Sequence, residues 1–517
     1  MIEALTSRPW ARRPRTLGYI GLVASGAMTA ASYWVAAVPV YFRGGTTPVV
    51  SLMPIGAFPA RLVFYLGLIA LMLSWLQLGR LTIADVAGTE WHAVRRIALL
   101  WAAPLTLSIP LNSRDLWAYA AQSQLVLHHL DPYHFGPSAL PGMFSVEVSH
   151  RWVDTPAPYG PLWLLTGKVI AAIIGNHVGI TVAALRLLAV VGLGLLAFSV
   201  PTLAQRAGGR RNVAIWLIVA NPMILVLGVG GGHNDLLMIG LMTTGLAVVT
   251  GSGGIGRTLL LGTTILTAAV AIKSPAAVAL AFAVPLWLSY APAGRSWRTA
   301  PRAGWCTAVV IGLSVAVFAA ITLVSGLGLG WVKQVNSSAS VVSWMSAPTS
   351  AAILWDLITF RPHRAFKLDP QMADFRTVST VISILLLIAM WLLAMRRTSS
   401  WLGRRALPDW ATRPGVWTLL AMALLSVVIL GPSVQAWYFG WSLAIAATIS
   451  LTPRLTAVIA GLSIGFVIMI RPNGVGLQMN PAVIPILGLS VLLAHKVLSQ
   501  PHHDAEADVV ARAVVAD

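Results

Sequence analysis

Long apolar runs separated by short polar stretches are the main pattern along the chain. A helix that crosses a bilayer needs about 20 predominantly apolar residues, and runs of about that length recur from one end to the other. We therefore predict an all-α polytopic membrane protein with about fourteen transmembrane helices. The predicted spans lie near 17–38, 58–79, 96–111, 180–203, 212–228, 236–250, 258–272, 275–290, 304–324, 376–395, 415–431, 438–452, 455–470 and 481–497.

The polar segments between these runs predict the domain organisation. Only about 112–157, 326–375 and the C-terminal tail are long and polar, so no soluble domain is expected. The stretch PYGPLWLLTGKVIAAIIG, residues 158–175, is predicted to be re-entrant or interfacial, because counting it as a span would move a basic cluster, Arg206 to Arg211, outside. We predict one membrane domain over 1–497, with an outer-face loop over about 112–179, and a charged cytoplasmic tail over 498–517.

Composition supports the membrane assignment and charge sets its orientation. The chain is 57% hydrophobic and only 10% charged, with a mean hydropathy of +0.79. Its net charge of +19 could suggest nucleic-acid binding, but the basic residues lie mostly between apolar runs. With the N-terminus in the cytoplasm, 22 of the 35 lysines and arginines fall on the inner side. This bias predicts cytoplasmic N- and C-termini and no nucleic-acid partner.

The N-terminal sequence and the single cysteine restrict the possible class of protein further. Arg8, Arg12, Arg13 and Arg15 precede the first apolar run, which is too long for a cleaved signal peptide and predicts a retained anchor. Cys306 is the only cysteine, which excludes an intrachain disulfide and a zinc site built from cysteines.

Scarce charged residues are concentrated in LNSRDLWAYAAQSQLVLHHLDPYHFGP, residues 111–137, just beyond the third predicted span. A helix through Leu130 places Asp115, Tyr119 and Gln122 on one stripe at the membrane interface. On that helix the residues that can face the bilayer are Leu116, Ala120 and Leu127. Asp115 has two interpretations: it caps the helix, or it is a functional carboxylate on the outer face.

A second carboxylate occupies an equivalent junction in NPMILVLGVGGGHNDLLMIG, where His233, Asn234 and Asp235 follow a glycine run. Glycines allow the backbone to approach a ligand closely, but they also allow a tight helical hairpin. In the latter case Asn234 or Asp235 only caps the next helix. Both interpretations remain open at this point.

Isolated cations and a group of aromatic residues complete the candidate chemistry. Lys273 lies between two apolar runs, where a cation costs roughly 2.5 to 3.5 kcal/mol unless it faces water or a partner such as phosphate. Arg471 in MIRPNG is a similar case. The stretch QAWYFGW places Trp437, Tyr438 and Trp441 at an outer helix end, where an aromatic belt explains them equally well.

Taken together, SRDLWAYAAQSQLVLHHLDPYHFGP, TPAPYGPLW, NPMILVLGVGGGHNDLLMIG and IKSPAA resemble the actinobacterial polyprenol-phosphomannose-dependent α-1,6-mannosyltransferases, which are GT-C glycosyltransferases. The recognisable motifs cover roughly residues 100 to 280. The resemblance implies a GT-C-like helical bundle in the plasma membrane with its active site on the outer face. It also implies an enzyme that moves mannose from a lipid phosphate to the mannan backbone of lipomannan and lipoarabinomannan, with phosphatidylinositol-mannoside-type acceptors. It also implies a catalytic role for the first external-loop aspartate, which here is Asp115.

The residues suggest a mechanism for this reaction. Asp115 is the candidate general base, because an acceptor hydroxyl must lose its proton as it attacks the anomeric carbon. Since the family converts a β-linked donor to an α-linked product, one inverting displacement suffices. Lys273 is the preferred ligand of the departing phosphate. Further candidates for the phosphate are Arg471, Arg114 and His233.

Other residues of these motifs are candidates for binding the sugar. Asp235, Asn234 and Asp131 could hold sugar hydroxyls, and aromatic faces suited to pyranose rings are offered by Trp117, Tyr133, Tyr159 and Trp163. No cofactor is predicted, although a divalent cation bridging Asp115 and Asp235 is a minority alternative. The external segment 326–374 could close over the site or only cover the surface.

A transporter or flippase for a lipid-linked saccharide is the competing class. In such a protein, external carboxylates and an intramembrane lysine would bind or gate rather than catalyse. Transporters also tend to carry ionisable residues deep in several spans and repeated halves. Here the acids gather at outer helix ends and no repeat is evident, which favours the transferase.

Overall fold

The computed structural model describes residues 12–40, 57–290, 300–334, 342–361, 368–398, 413–476, 480 and 482–500. This described part is all-helical, with isolated bridges but no strand, which confirms the all-α part of the predicted fold class. Its principal helices are α1 (Pro14–Val35), α2 (Ala57–Ile83), α3 (Trp91–Leu105), α4 (Asp115–Leu127), α5 (Pro161–Ile174), α6 (Val178–Ala207), α7 (Arg211–Val219), α8 (Met223–Gly230), α9 (Asp235–Val249), α10 (Gly256–Ile272), α11 (Ala276–Tyr290), α12 (Ala300–Ser325), α13 (Ala347–Ile358), α14 (Pro370–Thr398), α15 (Arg413–Ile429), α16 (Phe439–Ala446), α17 (Pro453–Ile468) and α18 (Val483–Leu498).

Few of these helices meet the length expected of a complete membrane span. Within the described residues, four are long and apolar enough to cross a bilayer, namely α2, α6, α12 and α14. The number rises to five if α7 and α8, which meet at an angle of 49°, count as one broken span. The count of about fourteen spans therefore stays a prediction. The charged tail predicted from residue 498 lies outside the described residues from 501 onward.

Contacts between distant loops define one end of the bundle, which we call the cavity end. There the backbone N–H of Leu111 donates to the carbonyl of Gly230 at 3.0 Å, and the N–H of Asn112 donates to that of Pro472 at 2.8 Å. These bonds bring together loops that are far apart in sequence. The loops at this end include 106–114, 231–234, 273–275, 430–435 and 470–476.

The opposite end carries many of the basic residues, and we call it the basic end. The Tyr290 hydroxyl donates to the carbonyl of Arg206 at 2.6 Å, and the guanidinium of Arg210 pairs with Asp85 at 2.8 Å. The helices run between the two ends, so α3 leads to the cavity end and α6 returns from it. Arg206 and Arg210, two of the predicted inner arginines, and the polar motifs thus lie at opposite ends of the described part of the protein.

The centre of the bundle is formed by the chain from Ala214 to Gly240, every residue of which is buried. Because this segment is apolar all round, it can be packed on every side rather than along one stripe. Trp216 of α7 and Trp75 of α2 stack with ring centroids 5.2 Å apart, and each indole N–H donates to the other residue's carbonyl. This rigid core fixes where the HND triplet emerges at the cavity end.

The structure changes the prediction for α4. An interfacial helix with one face in the bilayer was expected, with Leu116 and Ala120 toward lipid. Both residues are instead fully buried, because α4 packs against α5 and α6 and contacts the turn before α9. The helix also ends at Leu127, before the expected Leu130. The polar residues of α4 are therefore held inside the protein at the cavity end.

Candidate active site

A cavity of about 730 Å³ opens at the cavity end of the bundle. It is lined by segments from across the chain: the 112–115 turn, α4, the 148–159 loop, the start of α11, α14, the end of α15, the 431–438 loop and the 470–476 turn. Four of the predicted site residues, Arg114, Asp115, Tyr159 and Lys273, lie in its wall. A space of this size is typical of a small-ligand site.

Asp115 is the first residue of α4, and its side chain does not cap the helix. The preceding residue is Arg114, which makes no capping hydrogen bond, and the backbone N–H of Asp115 donates to the hydroxyl of Ser113 at 3.0 Å. Ser113 therefore satisfies a backbone donor at the helix start. The capping interpretation of Asp115 is wrong, and its carboxylate is left for other contacts.

His233 faces the Asp115 carboxylate from the other motif. Its Nδ1 lies 3.3 Å from Oδ2 of Asp115, but the direction is poor for a hydrogen bond, and neither ring nitrogen has a hydrogen-bond partner. The imidazole is fully buried and stacks on Trp437, with ring centroids 3.7 Å apart. The imidazole is thus held in place with Nδ1 near the Asp115 carboxylate, and His233 does not line the cavity.

The glycine run brings the two motifs together. Gly232 adopts φ +68°, which favours glycine, and a Cβ there would overlap the side chain of Leu116 in α4. Arg186 of α6 donates to the carbonyls of Ser108 and Gly230, bonding the end of α3 to the glycine run. The glycines are therefore needed for close packing of α4 against the HND turn.

The surroundings of Asp115, which lies outside the candidate membrane spans, favour its ionised form. Burial alone raises the pKa of a carboxyl group. The contact with His233 and its charge, followed by the Ser113 hydroxyl and the charge of Lys273, outweigh burial and hold the pKa of Asp115 below its ordinary value. The Asp115 carboxyl group is therefore ionised at neutral pH. In this form it can accept a proton from a reacting hydroxyl group.

Asp235 occupies a very different environment, although it also begins a helix. Its Oδ2 lies 2.7 Å from Nζ of Lys273, and its Oδ1 accepts a hydrogen bond from the indole N–H of Trp441 at 2.7 Å. Asp235 does not line the cavity. The alternative that Asp235 only caps α9 is wrong, and the position predicted to hold a sugar hydroxyl lies outside the cavity lining.

Lys273 meets both the ion pair and the cavity. Its ammonium lies 4.7 Å from the ring centre of Tyr438, and the rings of Trp441 and Tyr159 are within 5.7 and 5.9 Å. These aromatic faces hold the cation in place. Because an ammonium has three donors and Asp235 takes one, Lys273 can also meet an anion in the cavity.

The other predicted phosphate ligands are placed less favourably. The guanidinium of Arg114 lines the cavity but is bonded to the Glu147 carboxylate at 2.8 Å and to the carbonyls of Glu147 and Val38. Arg471 is exposed and lies beside the cavity, outside its lining. Arg114 therefore braces the loop around Glu147, and neither arginine is directed to the cavity as Lys273 is.

Several predicted sugar-binding residues lie outside the cavity lining. Asp131 closes its own turn, accepting from the N–H of Tyr133 at 2.8 Å and contacting His134 at 2.9 Å. The indole of Trp117 donates to the carbonyl of Ala37. Tyr133, Trp163 and Asn234 also lie outside the lining. The Tyr133 hydroxyl donates to the carbonyl of Tyr159, and Trp163 packs edge-on against Tyr119. Asn234 accepts a hydrogen bond from the Tyr119 hydroxyl at 3.4 Å.

The aromatic wall of the cavity comes mainly from a different region. Of the four predicted aromatic residues only Tyr159 lines it, whereas Trp437, Tyr438 and Trp441 of QAWYFGW do so directly. An aromatic belt explained this stretch equally well, so the sequence alone did not identify it. Gln122 was placed on the stripe of Asp115, and it lines the cavity with its side-chain oxygen buried and unpartnered.

The alternative of a cation bridging Asp115 and Asp235 stays a prediction. Asp235 is already neutralised by Lys273. Across the described residues there is no group of three or more histidine, cysteine, aspartate or glutamate side chains able to hold a metal ion. What the arrangement offers is one available carboxylate, one aromatic-bound cation and five aromatic residues around a common cavity.

Comparisons with known proteins agree with the motifs. Residues 18–289 match a family model described as the N-terminal domain of alpha-(1→6)-mannopyranosyltransferase, and residues 363–499 match one described as the MptB C-terminal domain. The chain is 35% identical to alpha-(1→6)-mannopyranosyltransferase A of Mycobacterium tuberculosis, over 81% of this chain and 77% of that protein.

Two corynebacterial relatives extend this likeness. Identity is 27% with alpha-(1→6)-mannopyranosyltransferase A of Corynebacterium glutamicum, over 84% of this chain and 88% of the relative. It is 24% with alpha-(1→6)-mannopyranosyltransferase B of the same organism, over 95% and 82%. No solved structure matches the chain, so the GT-C-like architecture stays a prediction.

Proposed function

Because the chain belongs to the alpha-(1→6)-mannopyranosyltransferase family of mycobacteria and corynebacteria, it is a mannosyltransferase, and we propose that its donor is polyprenyl-phosphate-mannose. The acceptor we propose is an α-1,6-mannan on a lipoglycan, of the type built on phosphatidylinositol mannosides. This function accounts for the Asp115 carboxylate at the cavity end, and family membership favours it over the transporter alternative.

The observation that carries the proposal is the position of Asp115. It is the carboxylate in the cavity wall whose oxygens are not saturated by a cation, and it faces the buried His233. In the proposed step Asp115 accepts the proton of the acceptor hydroxyl as that oxygen bonds to the anomeric carbon. The bond from this carbon to the phosphate oxygen breaks at the same time, and the phosphate leaves with the electron pair, inverting the anomeric centre.

Lys273 supports the charge of the departing phosphate. Its ammonium is in the cavity wall, and the surrounding aromatic rings exclude water and so strengthen its attraction for an anion. Trp437 and Tyr438 offer flat apolar surfaces on which pyranose rings can stack. Donor and acceptor sugars thus meet between the carboxylate and the cation.

The reaction is proposed to take place on the outer face of the plasma membrane, with the basic end in the cytoplasm. The positive bias of the basic end supports this orientation. A cysteine replacing the exposed His134, in a Cys306→Ser background, should be labelled by an impermeant thiol reagent in intact cells. One replacing the exposed Lys496 should be labelled only after the cells are opened. Labelling at position 496 but not at position 134 in intact cells would place the basic end outside the cell and contradict the proposed orientation.

The donor and acceptor are tested by product formation. Purified protein in bilayer nanodiscs is given radiolabelled polyprenyl-phosphate-mannose and a short α-1,6-mannoside. We expect the acceptor to gain one α-1,6-linked mannose, and the Asp115→Asn variant to give far less product. Lengthening from a sugar nucleotide but not from the lipid phosphate would overturn the proposed donor.

A further inference from the structure

A second pocket opens at the basic end, opposite the candidate active site, and we call it the basic pocket. Its volume is about 210 Å³, and it lies among the last residue of α2, the start of α7, the turn before α17, the start of α17 and the end of α18. Three of its lining residues can carry a positive charge, namely Arg210, Arg454 and His495, and no carboxylate of the described residues lines it. The pocket is therefore suited to an anion.

The three basic residues differ in what they already contact. The guanidinium of Arg210 donates to the carbonyl of Ile83 at 2.8 Å and pairs with Asp85 at 2.8 Å, so it braces the end of α2. Arg454 and His495 are exposed, and within the described part of the chain neither forms an ion pair with a carboxylate. Their side chains thus remain able to donate to a ligand that enters the pocket.

The two helices that carry Arg454 and His495 are held in a fixed arrangement. Gly461 allows α17 to pack closely on α18, because a Cβ there would lie 2.3 Å from the Cα of Val491. At the end of α18, Nε of Arg80 donates to the carbonyl of Gln500 at 3.1 Å, which bonds this end to α2. Two separate helices therefore present a basic side chain to the same pocket.

Apolar residues lie next to both basic residues and deeper in the bundle. Val458 follows Arg454 by four residues on α17 and is 37% exposed, and Leu492 precedes His495 by three residues on α18 and is 65% exposed. These spacings place each apolar residue on the same helix face as the basic one. Because α17 leaves the basic end and α18 returns to it, both apolar residues lie about 5 Å farther from that end.

This order of charge and hydrocarbon matches the end of a membrane lipid. The basic side chains are level with the headgroups, and the exposed apolar side chains are level with the first part of the acyl chains. The rest of the pocket lining is also mainly apolar, and includes Ile83, Val213, Ala447, Ile449, Leu451, Ala457 and Leu498. A lipid would cover this apolar surface, whereas a water-soluble anion would leave it uncovered.

From these positions we propose that the basic pocket binds the phosphate of an anionic phospholipid from the leaflet at the basic end. Arg454 and His495 donate to the phosphate oxygens, and the acyl chains lie along α17 and α18 beside Val458 and Leu492. Basic pockets between membrane helices recognise anionic headgroups by the same combination of contacts. The site is separate from the active-site cavity, so the inference does not depend on the proposed donor or acceptor.

The test measures lipid binding to the purified full chain in detergent. Thermal unfolding is followed while short-chain phosphatidylglycerol, short-chain phosphatidylcholine or inorganic phosphate is added in separate titrations. A ligand that binds the native state raises the unfolding temperature as its concentration exceeds the dissociation constant. We expect phosphatidylglycerol to stabilise the protein at concentrations at which phosphatidylcholine and inorganic phosphate have no effect.

Three variants locate the binding. Arg454→Gln should weaken the affinity for phosphatidylglycerol about tenfold, as expected for the loss of a hydrogen bond between charged groups. His495→Ala removes a donor from the other helix and should also weaken the affinity. Arg257→Gln is the matched control, because it removes an exposed charge from the same end without changing the pocket lining, and it should leave the affinity unchanged. The unfolding temperature without lipid shows whether each variant folds.

Several results would overturn the site. They are the absence of stabilisation by phosphatidylglycerol, equal stabilisation by phosphatidylcholine, and unchanged affinity in both Arg454→Gln and His495→Ala. An equal loss in Arg257→Gln would show only a general attraction of the basic end for anionic lipids. Equal stabilisation by inorganic phosphate would assign the pocket to a soluble anion, which also contradicts the proposal. Mannosyl transfer enters none of these measurements, so failure of the proposed function would be seen separately.

Discussion

Asp115 and Asp235 look equivalent in the sequence, since each begins a helix at the cavity end and each follows a polar residue. The structure separates them. Asp115 is 19% exposed and faces the cavity beside His233, whereas Asp235 is 4% exposed and bonded through both oxygens to Lys273 and Trp441. The same local pattern therefore gives one available carboxylate and one neutralised carboxylate.

The difference teaches that the partner, and not the helix position, decides what a carboxylate can do. The Asp235 carboxylate has its charge compensated by an ammonium at 2.7 Å and its other oxygen engaged by the indole of Trp441, so it does not face the cavity. Asp235 in turn fixes Lys273 near the cavity, so it contributes through the cation. The proposed roles of Asp115 as the catalytic base and of Asp235 as a supporting acid follow from the different contacts that the two carboxylates make.

Replacing Asp115 should give the largest loss of turnover. We expect Asp115→Asn to lower kcat at least about a hundredfold, the low end for loss of a general base, because an amide cannot accept the proton. Folding should be retained, since Ser113 rather than Asp115 bonds the backbone at the helix start. Initial rates, donor binding and thermal unfolding of the purified variant check this. Near-normal turnover would remove Asp115 from the mechanism.

Replacing Lys273 should give the next largest effect, and mainly on donor use. A hydrogen bond to a charged group contributes about 1.5 to 3 kcal/mol, so Lys273→Met should lower kcat/KM for the donor about 10- to 150-fold. The acceptor KM should change little. The double variant Lys273→Met/Asp235→Asn is the control, because it removes the unpaired carboxylate that the single change leaves. Recovery of donor use in the double variant would make Lys273 only a partner of Asp235.

Replacing His233 should have a moderate effect that depends on pH. We expect His233→Asn to lower kcat about tenfold, since the imidazole positions Asp115 without touching the proposed bond changes. His233 helps to hold the pKa of Asp115 low, so its loss should raise that pKa and move the acid limb of the kcat/KM profile to higher pH. Trp437→Phe, which keeps a ring beside His233, should leave the acid limb in place. If the acid limb of the kcat/KM profile does not move in His233→Asn, the influence of His233 on the pKa of Asp115 is contradicted.

Replacing Asp235 should have the smallest effect on turnover per folded molecule and a clear effect on stability. The Asp235→Asn amide can still accept from Trp441, but Lys273 is left without its partner, and breaking a buried pair in this way costs about 3 to 5 kcal/mol. Thermal unfolding and rates normalised to folded protein separate the two effects. A loss of turnover as large as that of Asp115→Asn would make the two carboxylates equivalent.

Much of the helical framework could be predicted from the sequence, because apolar runs determine where helices form in a membrane protein. The boundaries of α2 and α18 lie within a few residues of the predicted spans. Asp115 and Lys273 could also be predicted as cavity residues, since an isolated charge beside an apolar run needs water or a partner. These inferences use local pattern alone.

The contacts across the chain could not be predicted in the same way. Trp441 lies 206 residues from Asp235, and Trp437 stacks on His233 from a similar separation. No local pattern distinguishes such residues from an aromatic belt at the membrane surface. The pairing of Lys273 with Asp235 was similarly hidden, because a phosphate and a buried carboxylate satisfy a lone lysine equally well.

The π-helical form of α8 makes the site sensitive to the number of residues as well as to their identity. A π-helical turn holds more residues than an α-helical turn, and α8 leads directly into Gly231 and His233. Loss of one residue from α8 without a change in its helical form would rotate everything after it by roughly a quarter of a turn. The imidazole would then leave Asp115 although every interacting side chain was still encoded. The position of His233 therefore depends on the length of α8 as well as on its buried side chains.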